Sequence, residues 1–331
     1  MVFPAISYAP ETSLQLGAAA VWVLPNRQGE TDPAFVREST ISPFFLYTLN
    51  NQIITAINFN LFTSRENAMN GSIRFFNFPD SYFGIGNSND PDISEQYTNV
   101  FFQLEGRYLK PLSKTSFLGL AWDIQHNSIR EIEEGGLLQM DGPVGIGGGT
   151  ALSMGPAFRF DSRNNTIYPT KGYLITYRSL LNYLGDFRFS SHLIDLRKYV
   201  SLGNEHNILA FQLRGSFTNG NDAPFYKLPQ LGGDERLRGI SNASLYRDRQ
   251  MMYAQAEYRR PLFWRFGMTL FAGIGDVANE LGDFQLSDFK YVGGVGGRFA
   301  AIPEDKLNLR IDLGVARGGQ VAFYAGISEA F

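Results

Sequence analysis

The sequence predicts an all-β chain closed into a 16-stranded antiparallel transmembrane β-barrel. Three observations carry the prediction: apolar and polar residues alternate with period two in segment after segment, the segments are long, and aromatics gather at their ends. In residues 307–316 (LNLRIDLGVA), Leu307, Leu309, Ile311, Leu313 and Val315 fall on one face of a strand, with Asn308, Arg310 and Asp312 on the other. The split recurs with Val100, Phe102, Leu104 and Tyr108 against Gln103, Glu105 and Arg107. It recurs again with Leu118, Leu120, Trp122 and Ile124 against Asp123 and Gln125, and with Leu209, Phe211, Leu213 and Phe217 against Gln212, Arg214 and Ser216.

A soluble sandwich with one solvated face would alternate too. Its strands, however, run about five or six residues, whereas a tilted strand needs about ten to cross a bilayer, and the apolar face here continues from end to end of the chain. Phe44, Phe45 and Tyr47, then Phe75, Phe76 and Phe78, then Phe263, Trp264 and Phe266 sit where interfacial girdles would require aromatics.

Between turn signals, candidate strands fall near 4–10, 13–24, 36–48, 52–63, 68–79, 98–109, 114–126, 146–160, 171–183, 187–200, 206–219, 250–261, 265–276, 288–300, 305–317 and 320–331. The count is even, as in single-chain bacterial barrels, and closure removes the backbone edges that lipid cannot satisfy. Residues 1–331 read as a single outer-membrane β-barrel domain. If the first strand starts on the periplasmic side, the long joins at 80–97, 127–145, 220–249 and 277–287 fall outside, and the stretch 220–249 is the sixth outer loop. Leu112-Ser113, Gly203-Asn204 and Pro261–Arg265 then make short periplasmic turns, while the join at 25–35 is longer than this rule expects. Phe323, Ile327 and Phe331 read as a C-terminal strand signal, an extended edge that an assembly machine captures through its backbone.

Composition narrows the function classes. Lys+Arg 29 against Asp+Glu 32 leaves a formal net charge of −3 and no basic face for nucleic acid. Cysteine is absent, so there is no disulfide framework and no cysteine-based metal site. No run of about 18 apolar residues provides a helical span, and no signal-peptide pattern opens the chain, so any signal peptide is expected to have been removed and Met1 reads as an added initiator. His126, His192 and His206 share no metal-ligand spacing. Ser190, Ser191 and His192 lack a nucleophile motif or oxyanion glycine and read as a polar patch on a lumenal face. The glycine runs at 145–149 and 293–297 lack the lysine of a phosphate loop and read as sites of strand curvature or close loop passage, and the Asp/Asn-rich stretches at 88–92 and 219–222 read as turns. No catalytic residue, metal or cofactor is expected.

Residues 228–240 (LPQLGGDERLRGI) and 250–262 (QMMYAQAEYRRPL) resemble the BamA/TamA family of outer-membrane assembly and translocation barrels, also called the bacterial surface antigen family. The family's long sixth outer loop carries two glycines and then a leucine or valine, arginine, glycine, aromatic motif, matched here by Gly232, Gly233, Leu237, Arg238, Gly239 and Ile240. The following strand resembles the family's glutamate, arginine, proline pattern at Glu257, Arg259 and Pro261; residues 161–172 resemble its mid-barrel periplasmic turn, and 271–277 its thirteenth strand. Ile240 departs from the usual aromatic, and Gly273 stands where the family often has an aspartate.

The resemblance implies a sixth outer loop folded inward, with its arginine against lumenal carboxylates. Parity selects the partners: Glu257 and Asp312 lie on the polar face with Gln255 and Arg310, so Arg238 is expected to pair first with Glu257 and then with Asp312. It further implies a protein of the bacterial outer membrane that helps insert or translocate other proteins, with the lipid bilayer, unfolded outer-membrane proteins or secreted substrates, and accessory assembly proteins as partners. The family carries periplasmic substrate-binding domains before the barrel, and the sequence reads from its first strand as barrel, so a lone barrel is the expectation. A passive pore with a charged lumen and a membrane anchor of a larger protein are the other two readings.

Overall fold

A computed structural model describes residues 2–10, 12–24, 39–62, 67–203, 207–240, 242–303 and 306–331. The join at 25–35, Asn204 and His206 lie outside the described residues. Sixteen wall strands appear among those described: β1 (Val2–Ala9), β2 (Ser13–Ala20, continued as Trp22–Leu24), β3 (Ser39–Thr48), β4 (Ile53–Phe62), β5 (Ala68–Tyr82), β6 (Glu95–Pro111), β7 (Ser116–Arg130) and β8 (Gly149–Asp161). They continue as β9 (Gly172–Gly185), β10 (Phe189–Ser201), β11 (Ile208–Asn219), β12 (Gln250–Phe263), β13 (Phe266–Ala278), β14 (Lys290–Ile302), β15 (Leu307–Ala316) and β16 (Val321–Ile327).

Each strand pairs antiparallel with its sequence neighbours, and β1 pairs with both β2 and β16, which closes the barrel. The closure is uneven. Among the described residues the β15–β16 ladder registers seven pairs, from Leu309↔Ile327 to Val315↔Val321, whereas the β1–β16 seam registers one, Tyr8↔Ala325. The rings of Tyr8 and Phe323 meet beside that pair at 5.5 Å.

The faces are inverted relative to a soluble sheet. On β15, Leu309, Ile311, Leu313 and Val315 are 44–55% exposed, while Arg310 is 5% and Asp312 0% exposed. The same inversion holds on β6 and β7, where Phe102, Leu118 and Leu120 are exposed and Gln103, Asp123 and Gln125 buried. A water-soluble fold would bury those aliphatics; a barrel with a lipid-facing wall and a polar lumen exposes them. At the short-turn end, exposed Phe263, Trp264 and Phe266 cluster with half-buried Phe299, with ring centroids 5.3–5.9 Å apart.

Four sequence expectations change. The second strand is interrupted at Val21, because β2 and its continuation both pair with β3 but through separate ladders. The eighth strand begins at Gly149 rather than 146. The sixteenth ends at Ile327 rather than 331, with Ser328 at φ +67°. Ser190 and His192, 3.2 Å apart, lie in phase with outward-facing Ile194 and opposite to inward-facing Asp195, so this polar patch is on the outer face of β10 rather than the lumenal one.

Candidate functional site

Arg238 lies in the long connection between β11 and β12, and its guanidinium is fully buried. Nη2 donates to Glu257 Oε2 on β12, and Nη1 donates to Asp312 Oδ2 on β15 at 2.5 Å. The plane lies 3.8 Å from the centroid of the Phe271 ring on β13. Both partners chosen by parity are therefore in contact with it. Each carboxylate serves more than one cation: Glu257 Oε1 accepts from Arg259 Nε at 2.6 Å, and Asp312 accepts from Arg298 Nη1 at 2.6 Å and Arg310 Nη1 at 3.4 Å. Arg310 also reaches the Asp234 carboxylate at 3.0 Å, and Arg298 reaches Glu329 at 2.8 Å. Four arginines thus meet four carboxylates, the condition under which charge tolerates burial.

Glycines admit this network. Gly239 has φ +133°, and a Cβ there would stand 2.9 Å from the Val315 carbonyl carbon; a Cβ on Gly314 would stand 2.4 Å from the Arg238 carbonyl oxygen. The loop backbone and β15 therefore touch directly. A Cβ on Gly296 would fall 2.0 Å from Asp312 Oδ1, so that glycine leaves room for the Asp312–Arg298 pair.

Both departures from the family pattern have local reasons. Leu237 Cδ2 occupies the space a side chain at Gly273 would need, 2.6 Å from its Cβ position. Ile240 packs in an apolar cluster with Leu231, Leu237, Tyr246, Met251 and Tyr253, and Gly232 leaves space for it. Gly233, at φ +128°, turns the chain ahead of the motif.

Sequence reasoning put Arg310 on the polar face without giving it a role, and missed Arg298, Glu329 and Tyr324. Tyr324, buried on β16, donates its hydroxyl to the Ile240 carbonyl at 3.0 Å and accepts from the Gly239 amide at 3.4 Å, tying the motif to the last strand. Phe323 and Ile327 face outward, but Phe331 does not continue their row. It is buried with Tyr199 and Ala210, and its carbonyl accepts from Arg259 Nη2 at 2.7 Å. Arg259 also faces Tyr168 in the turn between β8 and β9, whose phenol burial and the Glu329 carboxylate push up to about 12. That turn is held by Asp161, which accepts from Arg163 Nε at 2.9 Å, and by Asn164 Oδ1, which accepts from the Thr170 and Lys171 amides. Asp276 lies apart, bonded to Lys290 at 3.0 Å.

An Omp85 superfamily domain model matches residues 47–300, a stretch that includes the Arg238 motif and its partner Glu257. The chain belongs to the Omp85 superfamily. Its fold is similar to that of BamA from Haemophilus ducreyi lacking POTRA domains 1–3, with TM-score 0.68 at 13% identity over 99% of this chain and 70% of that one. It is similar also to CdiB from Acinetobacter baumannii, with TM-score 0.64 at 11% identity, covering 98% of this chain and 58% of that one. No curated protein sequence matches it. As a member of this superfamily with a BamA-like barrel, the chain is assigned to the bacterial outer membrane.

Proposed function

We propose that this Omp85 barrel inserts or translocates other proteins at the outer membrane by parting the seam between β1 and β16 and offering the freed edges to an incoming strand. The one pair registered across that seam among the described residues, Tyr8↔Ala325, carries the reading. A barrel needs every backbone group paired against lipid, so a nearly unpaired seam is where opening costs least and where an incoming strand gains most by hydrogen bonding. The sixth outer loop, folded inward on Arg238, is the brace that holds β12–β16 in shape while the seam opens. Membership of the superfamily and the likeness to BamA and CdiB support the protein-handling role, and no catalysis is required for it.

The test locks the seam. Tyr8→Cys/Ala325→Cys places two thiols in a chain with no other cysteine, at the Cα spacing of about 4.5–5.5 Å that directly paired residues share and a disulfide can span. In vesicles containing the purified protein, folding of a small outer-membrane barrel should be accelerated by the reduced form, stopped by oxidation and restored by reductant. Equal acceleration by the oxidised form would refute seam opening.

A further inference from the structure

The lumenal wall opposite the Arg238 network is not charge-balanced. On β5, β6 and β9, Arg74 Nη2 lies 2.6 Å and Arg178 Nη1 3.9 Å from the Glu105 carboxylate, which both must share. Arg107, two residues along the same inward face of β6, lies within electrostatic reach of Glu105, Arg159 and Arg178. Two guanidinium groups, those of Arg74 and Arg178, thus share one carboxylate, with Arg107 beside them on the same face. The pattern continues on β10 and β11, where Arg197 and Arg214 share Asp195 at 2.8 and 3.8 Å. The Arg74 and Arg178 side chains remain 36% and 35% exposed, so their heads face open lumen.

From this juxtaposition we infer that the lumen holds a binding site for a small multivalent oxyanion, a phosphate-bearing solute, on Arg74, Arg107 and Arg178. Guanidinium forks recognise phosphate oxygens in pairs, and a lumenal wall with surplus arginines selects anions as the arginine-lined pores do. Asp123, paired with Glu105 across β6 and β7, is already bonded to Lys227 at 2.8 Å, and phosphate supplies the further negative charge that the arginines lack. The site lies on β5–β9, away from the seam and from Arg238, so it does not depend on the protein-handling role.

The experiment titrates inorganic pyrophosphate into the full chain in a zwitterionic detergent at fixed ionic strength, read by calorimetry. Saturable binding near one equivalent is expected, weakened about tenfold or more in Arg107→Gln and Arg178→Gln and largely kept in Arg107→Lys, while Lys198→Gln on the outer face leaves it unchanged. Heat-modifiability on gels confirms that each variant is folded; should Arg178→Gln fail to fold, the Arg107→Gln and Arg107→Lys pair decides. No saturable binding by the folded wild type, or equal binding by the Gln variants, would overturn the site.

Discussion

Replacing Arg238 with alanine removes the one cation that joins the β12 and β15 carboxylates to the loop. The two lost contacts are charge-assisted and fully buried, and deleting one partner of a buried ion pair typically costs about 3–5 kcal/mol. The neighbours moderate the loss: Glu257 keeps Arg259, and Asp312 keeps Arg298 and Arg310, so neither carboxylate is stranded. The stacking on Phe271 disappears as well, worth about 0.5–2 kcal/mol. The expected result is a destabilisation near the low end, about 3 kcal/mol, measured as the urea midpoint of the barrel refolded in vesicles and as the temperature at which its gel band shifts. A variant with an unchanged midpoint would mean that the loop is held by its apolar cluster and that the arginine is not a brace.

Further outcomes follow from the same contacts. Asp312→Asn should cost more than Arg238→Ala in the same urea assay, because Arg238, Arg298 and Arg310 all lose their shared anion. Tyr324→Phe should cost about 1 kcal/mol by removing the hydroxyl bond to the Ile240 carbonyl, with the barrel otherwise intact by circular dichroism. Gly273→Asp, which restores the residue common in the family, should destabilise through collision with Leu237, and Leu237→Ala should recover part of the loss; additive effects in that double-mutant cycle would rule out the collision.

The barrel is legible in the sequence because a lipid-facing wall writes itself as alternation, and parity alone placed Glu257 and Asp312 on the face that meets Arg238. Parity cannot say which inward residues from different strands come together. Arg298, Arg310 and Glu329 join the network only because β14, β15 and the segment after β16 converge on the loop. The end of β16 did carry a signal: Glu329 is in phase with Val321, Phe323 and Ile327, so an extended strand would aim its carboxylate at lipid. Leaving the wall at Ser328 instead delivers it to Arg298 and Asn308, and carries Phe331 inside. On β10, polar Ser190 and His192 masked the parity that Ile194 and Asp195 define.

The absence of native cysteine allows the inside-out arrangement to be measured directly. Single cysteines on β15, each labelled with a fluorophore in vesicles, should be quenched by lipid-borne nitroxide at 309, 311, 313 and 315 and protected at 308 and 310. Uniform quenching along the strand, or the opposite phase, would contradict a wall whose aliphatic face meets lipid and whose charged face lines the lumen.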